Sequence, residues 1–203
     1  MREFKRDQVP KLKPETLKML SNFTALSDNL YLEIGCGVGL HPILFSKTQL
    51  DKKLIAIERT QEKFKKFEGR FINHKSPSNL LPLHADAISV VTHGLSTQSI
   101  NKVFILYPNP EPGNKNQRWI NMPFMTELIS KLKKNGEIEI RTNILEYAQE
   151  IKANFSQHNL TLTCYRTIHK DEKLKTHFEH KYIKRGEVCY EIILKVKNHE
   201  SKK

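Results

Sequence analysis

Cysteine is scarce in this chain: Cys36, Cys164 and Cys189 are the whole supply among 203 residues. Three thiols so scattered make neither a disulfide framework nor a zinc site, so no metal is expected. Buried thiols are the simpler reading, although Cys164 and Cys189 fall in two runs able to pair as neighbouring strands. Long apolar runs are missing too. Nothing approaches the roughly 20 residues that cross a bilayer, and no amphipathic anchor helix stands out, so no membrane partner is expected. The opening Met1-Arg2-Glu3-Phe4-Lys5-Arg6 carries charge with no apolar stretch behind it, unlike a secretory signal. A cytoplasmic protein, monomeric by default, is the expectation. Apolar residues still make up 38% of the chain and recur in regular runs, which excludes a disordered polymer and suits one domain with a sizeable core.

Acid is in short supply as well. Against 34 Lys and Arg stand 22 Asp and Glu, a formal net charge of +12. The excess is spread over Arg2 to Lys13, Lys47 to Lys53, Lys63 to Arg70, Lys131 to Lys134, Lys170 to Arg185 and Lys195 to Lys203. Part of it is simply a solvated surface. The remainder raises the local concentration of polyanions, and nucleic acid is the leading partner.

Glycine is rare, eight in all, yet Gly35, Gly37 and Gly39 fall within five residues. They follow the apolar run Tyr31-Leu32-Glu33-Ile34, and a second run, Leu54-Ile55-Ala56-Ile57, ends in Glu58. The layout predicts strand, glycine turn, helix, then a strand with an acid at its carboxyl end. That builds a nucleotide-type cofactor site at the edge of a parallel sheet. Glycine lets backbone pass close to a ligand, and Glu58, nineteen residues beyond Gly39, stands where an acid accepts hydrogen bonds from ribose hydroxyls. A pyrophosphate favours a helix N-terminus without an acid beside it. Glu33 lies two residues before the turn and instead suits a sulfonium and an ammonium. This order of acid, alternate glycines and ribose acid resembles the class I S-adenosylmethionine methyltransferases.

Along the chain, residues 1–13 lack periodicity and are expected as a flexible basic arm, with 14–198 as a single methyltransferase domain and 199–203 as a basic tail. Apolar spacing predicts helices over 14–26, 40–48, 60–72, 123–132 (closed by Asn135-Gly136) and 145–157. Strands are predicted over 30–34, 53–58, 79–84, 100–107, 138–141, 160–166 and 188–196. The last two are expected to pair antiparallel across a charged connection, 167–187. Phe64, Phe67 and Phe71 share one helix face and read as core. Alternating β and α units imply an α/β doubly wound, mostly parallel sheet with helices on both faces and site loops at the strand carboxyl ends.

Four further strand ends carry unusual residues. Asp86-Ala87 follows the third strand; there an Asp or its neighbouring N–H meets an adenine amino group, or the Asp simply caps a helix. Tyr107-Pro108-Asn109-Pro110-Glu111-Pro112 has three prolines at alternate positions, a rigid loop that holds side chains at little ordering cost. Lys115 and Arg118 downstream are candidates to meet phosphate. Then come Arg141-Thr142-Asn143, with Tyr147 on the next helix, and Thr176-His177-Phe178-Glu179.

Together these motifs resemble one family, the bacterial tRNA (guanine-N7)-methyltransferases. Its pattern runs E-I-G-x-G-x-G-x-H, I-E, D-A, F-P-D-P-W-P with basic residues, T-D followed by Tyr, and T-x-F-E. This chain answers with Glu33 to Gly39 and His41, Ile57-Glu58, Asp86-Ala87, Pro108 and Pro110, Thr142, Tyr147, and Thr176-x-Phe178-Glu179, in order from about residue 30 to 194. The resemblance implies that Glu33, Gly35, Gly37, Gly39, Glu58, Asp86, Ala87 and Asn109 hold S-adenosylmethionine. It also implies that Asn143, Thr176, Phe178 and Glu179 line a guanine pocket, with tRNA as partner.

Two family acids are amides here. Asn109 stands for the Asp of the proline loop and Asn143 for that of T-D, while Glu111 replaces the Trp. Guanine N7 carries a free lone pair, so catalysis is chiefly alignment, with a carboxylate favouring the positive charge that develops on the purine. Asn109 and Glu111 are therefore the expected catalytic pair, Glu111 supplying the carboxylate that Asn109 lacks. The activity expected is methyl transfer from S-adenosylmethionine to guanine N7 in tRNA. The alternatives are a methyltransferase for another RNA or a small molecule, and a weakly active module that binds RNA and cofactor.

Overall fold

The computed structural model describes residues 3–25, 28–109 and 113–197. Pro110, Glu111 and Pro112, and with them half of the expected catalytic pair, lie outside the described residues, as does the 199–203 tail. The described chain builds one seven-stranded sheet: β1 (Leu30–Ile34), β2 (Lys53–Glu58), β3 (Leu80–His84), β4 (Ile100–Leu106), β5 (Leu132–Thr142), β6 (Leu160–Ile168) and β7 (Cys189–Val196). Their order is β3-β2-β1-β4-β5-β7-β6. The first five run parallel; β7 pairs antiparallel with both β5 and β6. The order reverses between β1 and β4, the switch point where open α/β sheets bind ligands.

The helices are α1 (Pro14–Thr24), α2 (Leu40–Thr48), α3 (Gln61–Asn73), α4 (Ala87–Ser89, continuing as a π-helical turn Val90–Gly94), α5 (Phe124–Lys131), α6 (Leu145–Asn154) and α7 (His177–Lys184). Alternate strand residues divide between two cores. Leu32, Ile55, Ile57, Val103, Ile105, Ile138, Ile140 and Ile192 pack with Leu20, Val90, Phe124, Leu128 and Ile151 on one face. Leu54, Ala56, Phe104 and Leu106 pack with Ile43, Phe45 and Phe67 on the other. Phe67 is fully buried with Phe64 and Phe71 beside it, as the helical spacing predicts. That second face is apolar only under α2 and α3. Farther along, it carries Lys102, Glu139, Arg141 and Glu191, of which the last three are buried.

Two expectations need correcting. Residues 3–13 are not a free arm: Phe4 meets Phe124 edge-on at 5.8 Å, and Arg6 donates to the Thr92 carbonyl at 3.2 Å. His93 reaches the Val9 carbonyl at 3.1 Å, and Leu12 packs on the core. Irregular spacing of Phe4 and Leu12 hides this packing from any periodicity. Asn135-Gly136 does not close α5, which stops at Lys131. The pair lies inside β5, where Leu132 faces Ile100 and Glu137 faces Lys102, and Asn135 takes the left-handed φ of +64° that such a bulge requires. The charged connection between β6 and β7 holds α7, on which the sequence reading is silent. Cys164 and Cys189 do lie on neighbouring strands, but Cys164 faces Ile193 and Cys189 faces Ile168, and all three cysteines are free thiols.

Candidate active site

Backbone geometry builds the glycine turn first. Gly35, Gly37 and Gly39 have φ of +73°, +60° and +78°. At Gly39 a methyl group would stand 1.9 Å from Phe67 Cδ2, so both conformation and packing demand glycine there. The Gly35 and Cys36 N–H groups donate to the Ile57 carbonyl at 2.9 and 3.0 Å, tying the turn to the end of β2. From there Glu58 reaches back. Its carboxylate accepts the Gly37 N–H at 2.9 Å and the Thr60 N–H at 2.7 Å. The Glu33 carboxylate, only 2% exposed, meets His41 Nδ1 at 2.6 Å. His41 is a participant that the sequence reading quotes only within the motif; its position eight residues past Glu33, at the start of α2, is the signal. Between the two acids, burial pushes the Cys36 thiol well above its ordinary pKa, and Glu33 and Glu58 add to the effect. It is therefore a neutral thiol rather than a nucleophile.

A cleft opens against this turn. Its lining comes from Glu33, Gly35 to Val38, Leu40, His41 and Leu106 on one side, and from Thr176, His177 and Phe178 on the other. The structure thus brings the first and last sequence motifs together across about 140 residues of chain. Arg70 of α3 bridges them from outside, donating Nε–H to the Val38 carbonyl at 3.0 Å and lying 3.2 Å from His177 Nε2.

The Thr176-x-x-Glu179 spacing acts locally as a helix cap. Thr176 Oγ1 accepts the Glu179 N–H at 3.1 Å and starts α7. Phe178, at the mouth of the cleft, is 42% exposed and stacks on Tyr182 with rings 22° apart. Glu179 does not face the cleft. It is wholly buried, accepting from the Tyr107 hydroxyl and from Arg141 at 2.8 Å each, and from the Lys175 N–H. A base reaches it only if those partners let go, which corrects the expectation that it lines a guanine pocket.

Around Glu179 lies a buried ionic cluster that the sequence did not announce. Arg141 bonds Glu139 at 2.9 Å, Glu179 and Glu191, while Lys102 and Lys175 pair with Glu139. Burial alone would raise the Glu139 carboxyl, but Lys175, Lys102 and Arg141 outweigh it and hold the group far below the usual carboxylate range. Burial works against the Arg141 guanidinium too, and Glu139, Glu179 and Glu191 more than offset it.

The remaining expected residues are less central. Asp86 caps α4, accepting the Ser89 N–H at 3.1 Å, which is the local role weighed for it; Ala87 is the buried first residue of that helix. Asn143 donates to Glu187 at 2.8 Å and so ties the end of β5 to the segment before β7. Asn109 is exposed at the start of the proline loop. Arg118 is not available to phosphate: it is 3% exposed and held by Glu146 and Glu150 of α6. Lys115 pairs with Glu146 at 3.1 Å on the surface.

The sheet order, the glycine turn at the β1 end and the acid at the β2 end define a class I methyltransferase fold. A solved 16S rRNA methyltransferase, KamB, superimposes with a TM-score of 0.70 over 98% of this chain and 100% of its own, at 14% identity. A methyltransferase family model, Methyltransf_4, matches residues 27–192, and the chain belongs to that family. Among curated proteins it is similar to a tRNA (guanine-N(7)-)-methyltransferase of Buchnera aphidicola, 28% identical over 86% of this chain and 75% of the relative. One of Syntrophotalea carbinolica is 26% identical over 72% of this chain and 65% of its own length, so the chain spans just under two thirds of that relative. The methyl donor of such a site is S-adenosylmethionine. The residues present fit it: two buried carboxylates suit a cationic ligand, and the positive-φ glycines leave open space above Gly35 and Gly37.

Proposed function

We propose that this enzyme transfers a methyl group from S-adenosylmethionine to N7 of a guanine in tRNA. The observation that carries the reading is the cleft itself, where an exposed aromatic, Phe178, faces the glycine turn in a chain of net charge +12. An open ring at such a place suits a flipped-out base. The names of the similar curated proteins support the same substrate. The cofactor, when bound, supplies an electrophilic methyl group on a sulfonium.

The chain's own acids fit a reaction that needs no general base. Glu33 is engaged by His41, Glu58 by two backbone N–H groups and Glu179 by Tyr107 and Arg141. Guanine N7 offers a lone pair without losing a proton, so the protein's task is alignment, worth up to several kcal/mol. In this reading Glu33 and Glu58 hold the cationic ligand, Phe178 stacks the base, and Thr176 starts the helix that presents it. In the same reading Asn109, or Glu111 two residues on in the sequence, meets the charge that develops, and Asn143 steadies the strand end. The basic surface binds phosphates, and a cytoplasmic location follows from the substrate.

The deciding experiment is a tritium-transfer assay on unmodified bulk tRNA with nucleoside analysis of the product. Label in 7-methylguanosine is the expected result. Label in another nucleoside means a different RNA methyltransferase, and tight binding of tRNA without transfer means a binding module.

A further inference from the structure

The first residue of the proline loop is held unlike its neighbours. Tyr107 has φ of +52°, a left-handed conformation that a bulky side chain rarely adopts. Such strain persists only where surrounding structure enforces it, and it clusters at functional sites. Three contacts enforce it here. The Tyr107 N–H donates to the Arg141 carbonyl at 2.8 Å, the hydroxyl donates to Glu179 Oε1 at 2.8 Å, and the ring lies 5.6 Å from that of Tyr182. The two side-chain contacts lead to one place. Glu179 adjoins Phe178 in sequence, and Tyr182 stacks on the Phe178 ring at 6.1 Å.

We propose that Tyr107 is a positioning residue that, with the Arg141 guanidinium, anchors Glu179 and so couples the carboxyl end of β4 to the α7 wall of the cleft. Tyr107 and the exposed Phe178 ring are then held as one body. The α7 wall that faces the methyl acceptor is set by a single buried junction where β4, β5 and α7 meet. The Glu179 carboxylate is the centre of that junction. One oxygen accepts from Tyr107 and Arg141, and the other from the Lys175 N–H just before the Thr176 cap. Burial, with hydrogen bonds to Cys189 and Glu179, keeps the Tyr107 hydroxyl protonated and hence a donor.

The activity arm of the test rests on the tRNA reading above. Tyr107→Phe deletes one hydroxyl and nothing else. A hydrogen bond to a charged group being lost, kcat on tRNA should fall about tenfold, with S-adenosylmethionine affinity and the KM for tRNA changing less than about twofold. Because Tyr107 acts through Glu179, the Tyr107→Phe/Glu179→Gln double variant should be no slower than Glu179→Gln alone. Wild-type kcat in Tyr107→Phe, or losses that multiply in the double variant, would overturn the proposal. Amide hydrogen exchange decides it without any methyl transfer. In folded Tyr107→Phe, exchange across residues 177–184 should quicken about tenfold. Unchanged exchange there sinks the coupling. If wild-type protein transfers no methyl group to tRNA, the functional reading falls, and exchange still judges the junction on its own.

Discussion

Glu58 commits both carboxylate oxygens to backbone before any ligand arrives, one to Gly37 and one to Thr60. It therefore shapes the turn, and in the proposed function it also meets the ligand that fills it. Each carboxylate oxygen has a second lone pair for a ribose hydroxyl. Glu58→Ala should weaken S-adenosylmethionine by about 1.5–3 kcal/mol, read by calorimetry on protein whose fold is intact by circular dichroism. An unchanged dissociation constant would remove Glu58 from the site. Asn109 poses the opposite case, a residue at the surface where the family pattern has charge. Asn109→Asp should raise methyl transfer by up to about 10²–10³-fold, the effect of one preorganised electrostatic group beside a developing cation. If Glu111 already supplies that charge, Glu111→Gln abolishes activity and Asn109→Asp adds little; single-turnover rates of the two variants separate the cases.

Among the elements, the glycine turn is the least tolerant of change. Gly39→Ala combines left-handed backbone with a Cβ inside the Phe67 ring, so α2 or α3 must shift. A loss of about 2–4 kcal/mol follows from overpacking plus strain, seen as a lower urea midpoint at unchanged slope. A variant as stable as wild type would contradict the contact. The turn and its flanking strands were legible in the sequence because strand alternation, glycine φ and helix period are all local properties. The T-x-F-E motif was visible too, yet its helix was not. Eight residues of α7 lie in a run of lysines and histidines, and its apolar side is little more than the Phe178–Tyr182 pair, two turns at most, so the stripe is too short to mark the helix. Arg141 could be read as a strand-end residue but not as a buried cation, because its three carboxylates come from β5, α7 and β7. Long-range pairing of that kind leaves no periodic trace.

Taken whole, the molecule is held by different forces at its two ends. Under α2 and α3 the sheet is gripped by buried hydrocarbon, and under α7 by the ion pairs around Glu139 and Arg141. The folded Glu139 carboxyl titrates far below its ordinary 4.5. Its contribution is thus present above that value and is lost as pH falls, because the unfolded chain binds the proton first. Urea midpoints should drop as pH falls below about 4.5, and Glu139→Gln should flatten that slope. A wild-type profile level down to about pH 3 would refute the role of the cluster.

The strand order has a consequence for how the chain is made. β7 lies between β5 and β6, so β6 leaves the ribosome before the strand that joins it to the sheet. Glu191, one of the Arg141 partners, arrives on that same late strand. During synthesis the cofactor end, built from β1 to β4 with α2 and α3, can close first, since N-terminal parts fold ahead of later ones. The end built from β5, β7 and β6 must wait. A nascent chain stopped before Cys189 has its glycine turn and Glu58 in hand, and Tyr107 and Arg141 to meet Glu179, but Arg141 still lacks Glu191 and β6 has no strand to pair with, so the glycine-turn end is complete while the junction beneath α7 is not.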